Sequence, residues 1–290
     1  MPCYHPITGY RARSGRSPVT GLWPIVFSIS SGYKDLPVVV PCGQCIGCRL
    51  ERSRVWAVRC VHESSLYLKN CFVTLTYANA GSTLVKRDFV LFIKRLRKKF
   101  GIGIRYFHCG EYGEKFLRPH HHACIFNFDF PDKKLWSVKH GNRLYTSESL
   151  DELWGYGYCI IGDVTFDSAA YVARYILKKV TGNMAESHYD GRVPEYTSMS
   201  RRPGIASSWF EKYKNDVLSI DGVIVDGHKC KPPRYYDKLY DMDNKLAMQM
   251  IKARRRSQIN LVNNTYERLR VREICTVAKL NQLNRSIEGR

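Results

Sequence analysis

The sequence predicts an α+β chain in which strands and helices are unevenly interleaved. Three observations carry this. FVTLTYA (72–78) is rich in β-branched and aromatic residues and runs into Asn79-Ala80-Gly81, a strand and its turn. LVKRDFVLFIKRLRKKF (84–100) spaces Phe89, Phe92, Ile93 and Leu96 as one face of a helix. IRYFHCGEYG (104–113) and RPHHHACIFNFDF (118–130) follow as two more strands, the second closed by Pro131-Asp132.

The remaining elements fall on either side. Residues up to about 50 are rich in Pro, Gly, Ser and Cys and lack a helical period, so they read as loops and short strands around a local staple. From Arg49 to about Leu68 the pattern is amphipathic. YCIIGDVTF (158–166) reads as a short strand, and SAAYVARYILKKV (168–180) as a helix with Ser168 at its N-cap and Gly182 just past its end. Beyond it the chain is polar and turn-rich until a basic helical tail over residues 251–290. These patterns divide the chain into a Cys-rich segment (1–65), a core (66–185) and a basic C-terminal region (186–290) suited to DNA or partner binding.

With 290 residues the chain can bury a substantial core without disulfides. Its 46 Lys and Arg against 26 Asp and Glu give a net charge of +20, which points to a polyanionic partner, nucleic acid before an acidic membrane surface. The 19 Tyr and 12 Phe supply surfaces on which bases can stack. The helix of residues 84–100, Arg201-Arg202-Pro203 and Ala253-Arg254-Arg255-Arg256 are candidates for phosphate contact. No apolar run matches a membrane span, and the N-terminus lacks a signal-peptide core, so a cytoplasmic protein without a membrane partner is expected. Thiols and metal ligands are then the expected state of the 11 cysteines.

On a strand, His120 and His122 point to one face and His121 to the other. Two imidazoles about 6–7 Å apart along a strand can converge on one ion, or serve simply as hydrogen-bonded groups. Glu111, on the neighbouring predicted strand, can supply the anionic ligand. Such an N/O set with open positions suits Mn²⁺ or Mg²⁺ acting on phosphate and also accepts zinc. Downstream, Tyr171 and Tyr175 lie four apart and share a helical face that Lys178 extends. A phenol is a poor nucleophile near neutral pH without a cation or base, and the lysine is suitable help. Packing is the ordinary use of such a tyrosine pair, but His pair, carboxylate and tyrosine helix together read as phosphodiester chemistry.

The order FVTLTYA, GEYGEKFLRPHHHACIF, AAYVARYILKK resembles the three motifs of the HUH endonucleases, the rolling-circle replication initiators. It is similar in detail to the initiators of gokushovirus-type single-stranded DNA phages, over residues 1–182 and including PCGQCIGCRLERSRVWAVRC. The resemblance implies the HUH fold, a central antiparallel five-stranded sheet flanked by helices, with the His pair on a central strand and the tyrosine helix across from it. It assigns His120, His122 and Glu111 to the metal, with Glu114 as the alternative carboxylate, and Tyr171, Tyr175 and Lys178 to catalysis. It expects an apolar or aromatic residue between the ligands, where this chain has His121, an alternative ligand by residue type.

The implied activity is a site-specific nickase and strand transferase that uses Mn²⁺ or Mg²⁺ on single-stranded origin DNA. It leaves a 5′-phosphotyrosine and a free 3′-hydroxyl, and later rejoins the ends. The implied setting is the cytoplasm of an infected bacterial host, with the host polymerase and helicase as partners. The sequence lacks a G-x-x-x-x-G-K-[ST] run, which leaves unwinding to the host.

Cys42, Cys45 and Cys48 have the spacing of a thiolate zinc site, with Cys3 or His5 as fourth ligand. Zinc there would be structural. An iron–sulfur cluster also fits the spacing but lacks the nearby Cys-Pro. Two other readings use the same residues: a zinc-stapled, non-enzymatic single-strand binding or regulatory protein, and a zinc hydrolase acting on a non-nucleic substrate.

Overall fold

The computed structural model describes residues 3–282 except 20, 80, 114–115, 140, 179 and 181–184, with the side chains of 174–178 also outside the description. The chain forms two compact units, Met1–Glu51 with Gln258–Arg290, and Arg52–Ser257. In the first, β1 (Ile7–Ala12) lies between β2 (Ile25–Val26) and β3 (Gly32–Val40), all antiparallel. β3 is an edge strand, which is why it accommodates Pro37, a residue with no N–H to donate.

The chain continues through α1 (Ile46–Ser64), β4 (Asn70–Leu75), α2 (Lys86–Phe100), β5 (Arg105–Tyr112), β6 (Pro119–Phe126), β7 (Lys134–Lys139), β8 (Asn142–Thr146) and α3 (Glu148–Trp154). Next come β9 (Cys159–Gly162), α4 (Phe166–Lys178), α5 (Ala185–Tyr189), β10 (Tyr196–Met199), α6 (Ser207–Ile220), the hairpin β11 (Val223–Val225) and β12 (His228–Cys230), α7 (Arg234–Asp243) and α8 (Lys245–Ser257). A 3₁₀ turn (Val262–Asn264) and α9 (Tyr266–Gln282) complete the first unit.

The second unit is built on an antiparallel sheet in the order β10-β5-β6-β4-β9-β8-β7. Helices cover both faces. On one, Ala57, Val58, Val172, Phe210 and Tyr236 pack with Phe107, Cys109, Cys124 and Phe126. On the other, Phe89, Phe92, Leu96, Leu150 and Trp154 pack with Val73, Leu75, Ala123 and Ile125. Because both faces are covered, β5 and β6 are buried almost throughout instead of on alternate residues.

The sheet has seven strands, not the five implied by resemblance. The additions lie at or beyond the ends of the predicted strands. β7 is almost wholly exposed and β10 only half-buried, so neither carries an apolar alternation to mark it. They join by backbone pairing, β10 through Tyr196 opposite Gly110 and β8 through Tyr145 opposite Ile161. The stretch read as polar and turn-rich also contains α6 and α7, whose Phe210 and Tyr236 enter the core. The signal for α6 is Trp209, Phe210, Tyr213 and Val217 on one helical face.

α4 starts at Phe166, earlier than expected, because Thr165 and not Ser168 caps it. Thr165 Oγ1 accepts the Ser168 N–H at 3.1 Å and Ser168 Oγ accepts the Thr165 N–H at 2.8 Å, a reciprocal capping box. Gly182 lies outside the described residues. Among the described residues, no helix is long and apolar enough to cross a membrane. Thr165→Ala is expected to lower the unfolding free energy by about 1 kcal/mol in urea titrations, with Thr165→Ser nearly neutral.

Candidate functional site

Strand register brings the ligand candidates together. Glu111 pairs directly with His120 across β5 and β6, and His122 is flanked by Cys109 and Thr74. Residues directly opposite share a face, so Glu111, His120, His122 and Thr74 all face α4. His120 Nε2 and His122 Nε2 lie 2.7 and 2.9 Å from the same oxygen, Glu111 Oε1. Glu111 is 1% exposed and His122 5%.

The far nitrogens fix the rings. His122 Nδ1 meets the Thr74 hydroxyl at 2.9 Å, and His120 Nδ1 faces the Arg118 carbonyl at 3.1 Å. A carbonyl only accepts, so His120 carries its proton on Nδ1. A neutral ring then aims its Nε2 lone pair at a carboxylate lone pair, a repulsion that an intervening proton or cation removes. The other carboxylate oxygen, Glu111 Oε2, is buried with no hydrogen-bond partner among the described residues. Burial pushes the Glu111 carboxyl up, but the two imidazoles outweigh it and hold the group below the usual range, so it is ionised. Two imidazoles and an ionised carboxylate with an uncommitted oxygen form a donor set for a divalent ion. Glu114 lies outside the described residues.

His121 is not an alternative ligand. It points to the opposite face and is fully buried against Phe89 and Trp154. There it belongs to a hydrogen-bonded chain: Ser198 Oγ to His108 Nδ1 (2.9 Å), His108 Nε2 to His121 Nδ1 (3.1 Å), His121 Nε2 to Tyr77 Oη (3.0 Å) and Tyr77 Oη to Asp88 Oδ2 (2.8 Å). Tyr77 donates to Asp88, so each neutral imidazole gives one proton toward the carboxylate and accepts one from behind. Burial, then the neighbouring imidazoles, depresses His121 to about 3, so it stays neutral. Gly110 makes room: a Cβ there would stand 2.7 Å from the Tyr196 ring and 3.1 Å from His121 Nδ1.

α4 packs across β5, β6 and β10 on the face that carries the ligands. The Tyr171 ring sits edge-on to His122 at 5.0 Å between centroids, and Phe72 stacks on the same imidazole at 5.6 Å. Tyr171 is 9% exposed. Tyr175 and Lys178 belong to the same helix, but their side chains lie outside the described residues.

The basic segments lie elsewhere. α2 covers the sheet face opposite the triad, and three of its cations are engaged: Arg95 and Arg97 bond the Trp154 and Ile104 carbonyls, and Lys99 pairs with Glu152. Arg255 is bound by Asp221 and Asp237. Arg201 and Arg202 are exposed.

In the first unit the four thiols of Cys3, Cys42, Cys45 and Cys48 converge. Sγ separations of 3.7 Å (Cys3–Cys42), 4.0 Å (Cys42–Cys48) and 4.0 Å (Cys3–Cys45) are far beyond a disulfide bond. They match the edge of about 3.8 Å that bonds of about 2.3 Å give a tetrahedron of sulfurs around zinc. The N–H groups of Tyr4, Cys42 and Cys45 point at sulfurs, each at 3.3 Å. Burial pushes the Cys45 thiol up, yet the hydrogen bonds from Tyr4 and Cys48 and the Cys42 thiol bring it down to about 6. Cys3 therefore completes the cluster. His5 turns away to Glu273 on α9, at 2.7 Å.

Residues 70–180 match the family model described as replication-associated protein ORF2/G2P. The chain is 39% identical over 256 residues to replication-associated protein VP4 of Bdellovibrio phage phiMH2K, covering 83% of this chain and 77% of that protein. It is 34% identical over 236 residues to replication-associated protein ORF2 of Spiroplasma virus 4, covering 74% and 72%. With replication-associated protein ORF4 of Chlamydia phage 1 the identity is 29% over 219 residues, covering 71% and 54%. No solved structure matches the chain.

By calorimetry, Glu111→Gln is expected to weaken Mn²⁺ binding by more than the roughly 10–100-fold cost of losing a group behind a ligand, and Thr74→Val by about that cost. His121→Gln should instead lower the melting temperature while leaving Mn²⁺ affinity essentially unchanged. Loss of binding in His121→Gln would contradict the two-faced reading of the strand.

Proposed function

The chain belongs to the replication-associated protein family of these phages, and on that premise we propose that it initiates rolling-circle replication by nicking single-stranded origin DNA through tyrosine transesterification. The observation that supports this most is the buried Glu111–His120–His122 triad with the Tyr171 ring against His122. A divalent ion held by these three residues, Mn²⁺ or Mg²⁺, supplies Lewis-acid stabilisation of the charge that develops on the scissile phosphate. Thr74 and the Arg118 carbonyl keep the imidazoles aimed.

A tyrosine oxygen attacks phosphorus as the bond from phosphorus to the 3′ oxygen breaks. The phenolic proton is lost to solvent, and the departing oxygen takes one up to become a free 3′-hydroxyl. Lys178, three residues beyond Tyr175, favours the phenolate. The phosphotyrosine ester conserves the bond energy, so rejoining needs no nucleotide cofactor. With Tyr171 and Tyr175 one helical turn apart, a second nucleophile can cut while the first holds the old end. In this reading the host polymerase extends the 3′-hydroxyl and a host helicase opens the duplex, in the cytoplasm of an infected bacterium. The core at 66–185 does the chemistry, and the region 186–290 serves DNA or partner contact.

We also assign structural zinc to Cys3, Cys42, Cys45 and Cys48, on the tetrahedral spacing of the sulfurs. Elemental analysis of the purified chain should find one zinc per molecule, lost in Cys45→Ser together with part of the thermal stability. Zinc content unchanged by that substitution would place the metal elsewhere.

The nicking reading is tested by incubating the chain with single-stranded DNA carrying the origin of the genome that encodes it. An SDS-resistant DNA–protein band that requires Mn²⁺ and vanishes with EDTA is expected. Tyr171→Phe and Tyr175→Phe should each block the full cycle of cleavage and transfer, while one of them retains first-strand nicking. DNA binding without any covalent band would favour the zinc-stapled binding protein instead.

A further inference from the structure

We propose that Tyr189 and Glu195 form a clamp that positions the tyrosine-bearing helix over the Glu111–His120–His122 triad, an inference that rests on the nicking reading. The Tyr189 hydroxyl accepts the N–H of Val180, two residues past the end of α4, at 3.0 Å. It donates to Glu195 Oε2 at 2.5 Å. Both residues are nearly buried, at 5% and 7% exposure.

Glu195 is itself held to the strand that carries the metal-site carboxylate. It directly precedes Tyr196, which pairs with Gly110 at the start of β10. Two residues earlier, the Val193 carbonyl accepts from the hydroxyl of Tyr112, the residue after Glu111, at 2.8 Å. The Val193 N–H donates to Thr83 Oγ1 at 2.9 Å, and the Leu84 N–H to Tyr112 Oη at 3.1 Å. Hydrogen bonds, joined by the short backbone segment 193–195, thus connect the Glu111 strand through Tyr112, Val193, Glu195 and Tyr189 to Val180, two residues past the end of α4.

The start of α4 is fixed separately, by the Thr165–Ser168 capping box and by Ser53 Oγ donating to the Ala170 carbonyl at 2.9 Å. These contacts hold the start of the helix, and the clamp holds the chain just past its end. The path uses buried polar groups where apolar packing would also fill the space, which is expected when a defined distance matters more than burial. Burial, then the bond to Glu195, pushes the Tyr189 hydroxyl up to about 12, so it remains the donor across the working range of pH.

The test uses the full chain, Mn²⁺ and the single-stranded origin DNA under single-turnover conditions. Tyr189→Phe is expected to slow adduct formation by roughly 10–100-fold, the scale of a small misplacement of a reacting group, with DNA affinity and half-saturating Mn²⁺ both unchanged. Glu195→Gln retains an acceptor for the Tyr189 hydroxyl and should restore nearly the full rate, whereas Glu195→Ala should resemble Tyr189→Phe. Cleavage by Tyr189→Phe at the unsubstituted rate, or a loss that tracks Mn²⁺ affinity or melting temperature, would overturn the clamp. If the unsubstituted chain forms no adduct, the nicking reading itself fails. The clamp is then judged by amide exchange at Val180, whose protection must fall in Tyr189→Phe and persist in Glu195→Gln.

Discussion

Two imidazole nitrogens aimed at one buried carboxylate oxygen constrain everything around them. The arrangement requires Glu111 on β5 to stand opposite His120 on β6, and a slip of one residue would send one partner to the far face of the sheet. The register is held by the apolar groups of both faces: Cys109, Cys124 and Phe126 pack on the side of α1, α4, α6 and α7, and Ala123 and Ile125 on the side of α2 and α3. Hydrophobic burial, spread over many residues, therefore sets the position of three polar ones. The charge left in the interior calls for a proton or a cation between the carboxylate oxygen and the two rings.

His121 shows the same constraint from behind. A polar ring in the middle of a packed face is costly unless both nitrogens are paired. Ser198, His108, Tyr77 and Asp88 provide that pairing in a single direction. The three consecutive histidines thus sit in two separate networks, divided by the pleat of the strand. The cationic helix α2 belongs to this rear face, so its charge is not what surrounds the triad.

Much of this was legible in the sequence. Alternation along RPHHHACIF separated His120 and His122 from His121, and the apolar pattern around Tyr171 marked the helix α4 that packs against His122. What was not legible depends on contacts between distant segments. β10 and the β7–β8 hairpin attach through backbone hydrogen bonds, which any sequence can make. Whether Cys3 or His5 completes the thiol cluster turns on how the N-terminal loop folds back, and spacing is silent on that. The Tyr189–Glu195 pair lies in a stretch whose composition suggested only turns.

The most direct test of the central claim is anomalous diffraction from crystals of the chain grown or soaked in Mn²⁺. A single strong peak about 2.0–2.2 Å from a Glu111 carboxylate oxygen and from Nε2 of both His120 and His122 is predicted. A fully occupied Mn²⁺ peak elsewhere, with the imidazoles still closed on the carboxylate, would contradict the account.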